Sequence, residues 1–156
     1  MRAEHVNPFI QSFSYIFKNV AGIDVVMGKA FIRSNPLIIG DISIIVGVTG
    51  DLRGQVVVSM STETALKLAS RMMMGIEVLT LDEISKSALS EIGNMILGNS
   101  ATGLYNLNIK IDITPPNIIT GKSMELSSSL KKNITIPFES DIGKIDFDIL
   151  LKYKDN

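Results

Sequence analysis

The sequence contains no cysteine and only one histidine, His5. Without thiols there is no disulfide, no thiolate metal site and no cysteine nucleophile, and a reducing compartment is permitted. A Ser-His-Asp triad, or a transition-metal site built on imidazole, would have to use His5. That residue lies near the N-terminus and reads as a solvated terminal side chain. Neither sign of charge is in excess: 15 Lys and Arg face 16 Asp and Glu, for a net charge of -1 and a pI of about 5.8. The basic footprint that nucleic acid requires is missing, and the adjacent Lys131 and Lys132 do not make a patch. Long hydrophobic runs are missing too. The most apolar stretch, Pro36 to Val48, is broken by Gly40 and Asp41 and is too short to cross a bilayer. The opening residues MRAEHVNPF carry Glu4 and no apolar run after Arg2, which is not the pattern of a signal peptide. The expectation is a soluble, cytoplasmic protein with neither membrane nor nucleic acid as partner.

What is present suits one real core. The chain has 156 residues, 46% apolar and 20% charged, so it is expected to form a single domain over 1–156. Asn7 to Val20 reads as a helix. Asn7 stands as its cap, Pro8 at the tolerated first position, Phe9, Phe13, Ile16, Phe17 and Val20 as an apolar stripe, and Gly22 as its stop. Val25 to Ile32 is a candidate strand. Ile42 to Val48 and Gln55 to Met60 are two more, joined through TGDLRG as a hairpin. Ser61 caps a second helix over Thr62 to Met74, ended by Gly75, with Met72, Met73 and Met74 clustered at its end as a core plug or, alternatively, an adaptable partner surface.

A third helix is predicted from Leu81 to about Leu104, opened by a Thr80/Glu83 capping box with Asp82 at the positive end of the dipole. Ile109 to Ile113 follows as a strand. Ile134, Ile136 and Phe138 alternate with polar or Pro neighbours, and Pro137 argues for a sheet edge. Ile145, Phe147, Ile149, Leu151 and Tyr153 keep a period of two, as a half-buried antiparallel strand does. The fold class is therefore α+β, helices packed on a largely antiparallel sheet.

The third helix carries the chemistry. At about 100° per residue, Ile84, Ala88, Ile92, Met95, Ile96 and Gly103 form the expected core face. Ser87, Glu91, Asn94 and Gly98 share another arc about 60° wide. Gly93 and Gly98 each cost a helix interior about 1 kcal/mol relative to Ala. Tight packing on the sheet or close approach of another surface are the two reasons to carry that cost. Asn94 is a poor mid-helix residue, because its side chain competes for backbone hydrogen bonds. An exposed Glu and Asn on a helix are more often plain solvation, so the stripe alone does not establish function. A weak echo of the stripe's spacing, Asn7, Gln11 and Ser14, lies in the first helix.

The segment SALSEIGNMILGNSA, Ser87 to Ala101, resembles the signature helix of the CheC/CheX/FliY phosphatases. That signature is D/S-x3-E-x2-N, met here by Ser87, Glu91 and Asn94. MMG (Met73 to Gly75), NMILG, PPNIITG (Pro115 to Gly121) and the hairpin end GQVVVSM are also similar to the family. The family places a proline a little over twenty residues after the Asn; Pro115 and Pro116 stand near that position and receive no catalytic role. One intact motif is present where CheC-like members carry two, so the architecture resembles the single-site CheX type.

The resemblance implies a CheC/CheX-like fold and a phosphatase acting on the aspartyl phosphate of a CheY-like receiver in chemotaxis. It implies that Asn94 positions the attacking water and that Glu91 pairs with the receiver's active-site lysine. Ser87 and Gly98 would let the partner's surface approach. No cofactor of its own is implied; Mg²⁺ would be supplied by the partner receiver, and a homodimer is expected from the same resemblance. The rival readings are a CheX-like receiver-binding adaptor without hydrolysis and a flagellar-motor domain. A metal hydrolase is disfavoured by the poverty of ligands.

Overall fold

The computed structural model describes residues 1–128, 130 and 132–155, so the Lys131 of the lysine pair lies outside the described residues. Three helices, α1 (Ala3–Ala21), α2 (Thr62–Met72) and α3 (Glu83–Tyr105), cover one face of an antiparallel sheet. The strands are β1 (Val26–Met27), β2 (Phe31–Ser34), β3 (Leu37–Ile39), β4 (Ile42–Gly50), β5 (Leu52–Met60), β6 (Ile111–Ile113), β7 (Asn117–Thr120), β8 (Met124–Leu126), β9 (Lys132–Ser140) and β10 (Gly143–Tyr153). The main sheet runs β1-β9-β10-β5-β4-β6, with β2 also on β9 and β7 also on β4; β3 and β8 form a separate ribbon. The α+β architecture with an antiparallel sheet is as the sequence predicts.

The core lies between helices and sheet. Ile42, Ile44, Val46 and Val48 of β4, with Val56, Val58, Ile145, Phe147 and Ile149, meet Phe9, Phe13, Ile92 and Ile96. Phe13 stacks on Phe17 at 4.4 Å and on Phe138 at 4.2 Å between ring centroids. Burying each Leu, Ile or Phe of this set contributes roughly 1.5–3 kcal/mol. The opposite face of β10 is not solvated, as simple alternation suggested. Leu150 packs with Leu37, Ile39 and Val57 beneath the β3–β8 ribbon.

Local details depart from the sequence expectation where tertiary contacts intervene. α1 begins at Ala3, ahead of the expected Asn7 cap, and Pro8 sits inside it. Proline there removes only one helix bond. The extra turn is held by Tyr153, whose hydroxyl accepts from the Arg2 backbone N–H at 3.0 Å and lies 2.7 Å from His5 Nδ1. His5 is therefore buried, not a solvated terminal side chain. At the other end of α1, Gly22 stops the helix in the left-handed conformation, as predicted.

α3 is capped by Asp82 rather than Thr80. Its carboxylate accepts from the Ser85 backbone N–H at 2.8 Å, and Ser85 Oγ accepts from the Asp82 N–H at 2.8 Å. Donation to the carboxylate from the Ser85 backbone N–H first, and from the Ser85 hydroxyl at 2.8 Å next, holds the Asp82 carboxyl below its ordinary range. The Asp–Ser pair wins over the Thr–Glu pair because it supplies a charged acceptor and buries its serine completely.

The methionine plug is only partly realised. Met72 packs on the core, but Met74, left-handed with φ 60, is 96% exposed. The helix has already ended at Met72, so the third methionine projects from a turn. Pro137 does not mark an edge strand, since β9 has neighbours on both sides. It falls in the gap where the outer partner passes from β1 to β2, and the Gly28 N–H donates to its carbonyl at 2.7 Å.

Candidate functional site

α3 packs against α1, α2 and β4, and its sheet-facing side is set by glycine. A Cβ on Gly93 would lie 2.7 Å from Ile44 Cγ2, so the bare backbone lets the helix settle on the sheet. The buried residues are Ser85, Leu89, Ile92, Gly93, Ile96, Leu97, Ser100 and Leu104. This core face is turned by roughly a quarter of a revolution from the expected one. Ile92 and Ile96 remain in it, Ala88, Met95 and Gly103 are half-buried at its border, and Ile84 is exposed. The helix is apolar over so much of its circumference that periodicity alone could not choose between adjacent faces.

That rotation leaves the polar stripe facing outward. Ser87, Glu91 and Asn94 are exposed and Gly98 is half-buried. Glu91 and Asn94 are separated by about 4.5 Å along the axis and share one side. Neither side chain has a hydrogen-bond or ion-pair partner among the described residues. A Cβ on Gly98 would meet nothing within 4 Å. Of the two reasons a helix carries an interior glycine, sheet packing therefore explains Gly93 and does not explain Gly98.

Ser87, Glu91 and Asn94 line an open groove of about 780 Å³ together with Glu83, Lys86 and Ser90; Gly98 stands outside it. The far wall is the β6–β7 connection, including Pro115 and Pro116. Thr114 fastens that wall to β4: its N–H donates to the Gly47 carbonyl at 2.9 Å, and its Oγ1 accepts from the Gly47 N–H at 2.8 Å. A Cβ on Gly47 would sit 2.9 Å from Thr114 Cγ2, so glycine is what permits the clamp. Sequence reasoning missed Lys86, Ser90 and the Thr114–Gly47 clamp. Pro115 and Pro116 have no assignable place in the sequence alone, because only the sheet brings them opposite Asn94.

Asn7 and Gln11 of the echoing triplet line a different groove, between α1 and the C-terminal half of α3, and Ser14 is half-buried outside it. Among the described residues no three acidic or imidazole groups converge on a point where a metal ion could sit. No helix among the described residues is long and apolar enough to cross a membrane. The arrangement offers a neutral carboxamide and a carboxylate on a rigid helix, open to a partner's surface. With one histidine, buried elsewhere, and no thiol in the sequence, it offers neither an imidazole base nor a cysteine nucleophile.

Comparison with known proteins gives a consistent picture. The family model of chemotaxis phosphatase CheX matches residues 42–139, a span that includes all of α3 and the proline wall. CheY-P phosphatase CheX of Thermotoga maritima is 37% identical over 157 residues, covering 99% of this chain and 98% of that protein. Among solved structures, chemotaxis protein CheX from Vibrio vulnificus superposes with a TM-score of 0.86 at 26% identity, covering 96% of this chain and 100% of that one. The CheX-CheY-BeF3-Mg²⁺ complex from Borrelia burgdorferi has a chain with a TM-score of 0.81 at 29% identity, covering 97% and 99%.

Proposed function

This chain belongs to the CheX family of chemotaxis phosphatases and is therefore a hydrolase, and we propose that it dephosphorylates a CheY-type receiver, with Asn94 positioning the attacking water. The observation that carries this reading is the outward pairing of Glu91 and Asn94 on the wall of an open groove, unpartnered among the described residues.

An aspartyl phosphate is an acyl phosphate and already hydrolyses in the receiver's own site, so the phosphatase needs only to complete that site. The Asn94 carboxamide enters the receiver pocket, and its oxygen accepts a hydrogen bond from water held in line with the acyl-oxygen–phosphorus bond. Water oxygen bonds to phosphorus while that P–O bond breaks. The electron pair returns to the receiver's aspartate, and the water's proton leaves with inorganic phosphate. Catalysis here is positioning and restricted motion, with no covalent intermediate on this chain. A neutral amide suits the task, since a carboxylate would repel the phosphoryl oxygens. Mg²⁺, which neutralises phosphoryl charge, is assigned to the receiver, as only Glu83 and Glu91 bring carboxylates to this groove.

Glu91 is placed one turn before Asn94 to pair with a cationic side chain in the receiver pocket. Ser87 and the bare surface of Gly98 leave room for that pocket's rim. The whole of 1–156 acts as one domain in this scheme. A homodimer is proposed through the outer edge of the main sheet, where Val26, Met27, Phe31 and Ile32 of β1 and β2 are exposed.

The test is phosphate release from a phosphorylated CheY-type receiver with Mg²⁺. The wild-type chain is expected to accelerate it, Asn94→Ala to lose the acceleration while still binding the receiver, and Glu91→Ala to weaken binding and turnover together. Undiminished turnover by Asn94→Ala would remove the water-positioning role. Tight binding without turnover by the wild type would make the chain an adaptor.

A further inference from the structure

We propose that Ile84 is the apolar anchor that seats the receiver on α3; this rests on the receiver-docking reading above. Ile84 is 67% exposed although it stands in the first turn of a helix whose other isoleucines, Ile92 and Ile96, are fully buried. A single exposed isoleucine is ordinary on a protein surface. Its position is what distinguishes this one. Ile84 lies seven residues before Glu91, about 20° around the helix from it and about 10 Å along the axis. It therefore heads the same outward ridge that carries the proposed catalytic pair.

The ridge between them is built for contact. Ser87 and Ala88, both small, lie between Ile84 and Glu91, and Glu83 and Lys86 stand at the flank that faces the groove. The end carrying Ile84 is also rigid, because the Asp82–Ser85 capping box fixes the turn in which it stands.

The extent of an interface puts Ile84 within the footprint of a receiver docked on the catalytic pair. A specific protein contact covers about 800 Å² on each partner, a patch about 16 Å in radius. A receiver centred on Asn94 and Glu91 reaches Ile84 within that radius. Two polar side chains alone cannot fill such an area. Hot spots combine a desolvated apolar anchor with polar groups nearby, and Ile84 supplies the apolar part.

The experiment measures the affinity of a CheY-type receiver loaded with BeF₃⁻ and Mg²⁺, together with steady-state phosphate release, for wild type, Ile84→Ala, Ile84→Leu and Asn94→Ala. Ile84→Ala leaves an exposed helix position with a better helix former, so folding is preserved. It is expected to raise Kd and KM about tenfold with kcat retained at saturating receiver, while Ile84→Leu stays near wild type. Unchanged Kd for Ile84→Ala overturns the anchor, whatever Asn94→Ala does. A raised Kd beside a fully active Asn94→Ala keeps the anchor and removes the water-positioning reading. If Ile84→Ala instead turns a dimer into monomers in sedimentation and leaves receiver affinity intact, the face is a self-interface and the proposal fails.

Discussion

Asn94 and Asp148 show how one side chain's surroundings decide what it does. Asn94 gains nothing from its own fold and costs helix propensity, so its value lies in what it meets from outside. Asp148 is the reverse case: it is 1% exposed, accepts from Thr135 Oγ1 at 2.5 Å, and lies on the same side of β10 as Leu150, away from the helices. Burial pushes its carboxyl up to about 6, with Asp146 adding repulsion and the Thr135 bond and Arg33 opposing. The folded chain thus holds the proton more tightly than the unfolded chain, whose aspartate titrates near its ordinary value. This carboxyl's contribution to stability therefore falls as pH rises from about 4 to about 6 and is level above that. In urea titrations, the stability of Asp148→Asn relative to wild type should improve by about 2 kcal/mol between pH 4.5 and pH 7.5. A difference independent of pH would overturn the assignment.

At the scale of elements, α3 is organised by two glycines with opposite roles. A Cβ on Gly93 would come within 2.7 Å of Ile44 Cγ2 and force the core to shift, while one on Gly98 would meet open space. Gly93→Ala is expected to lower the melting temperature, because the crowding in the core outweighs the propensity gained. Gly98→Ala should gain up to about 1 kcal/mol of helix propensity, raising the melting temperature by roughly 2–4 °C, and should bind the receiver more weakly. Thermal melts of the two variants separate these roles. The same response from both would remove the distinction. The element boundaries show what sequence signals resolve. Ser61 caps α2 as expected, accepting from the Thr64 N–H. For α3, the expected Thr80/Glu83 box gives way to the Asp82–Ser85 pair, two residues on, which the hydrogen bonds define.

For the molecule as a whole, helices cover one face of the sheet and the β3–β8 ribbon covers part of the other, while the outer edge at β1 and β2 stays apolar and open. Val26 and Ile32 are 70% and 65% exposed there. Apolar sheet edges invite another chain. On the proposed homodimer, Ile32→Lys should shift the chain toward monomer in sedimentation equilibrium without abolishing phosphate release. A wild-type monomer at micromolar concentration would dismiss that interface.

Period, composition and signature residues carried the α+β class, the hairpin and the outward stripe on α3, because these depend on local spacing and on which side chains avoid water. Their limits are visible in particular residues. His5 is buried because Tyr153, far away in the chain, reaches it. Pro115 and Pro116 become the wall opposite Asn94 because Thr114 is clamped to Gly47 across the sheet. Ile84, which a helical wheel puts inside, lies outside because Gly93 turns the helix onto Ile44. Each of these outcomes is a contact between segments distant in the chain, and periodicity within one segment contains no information about the partner it will meet.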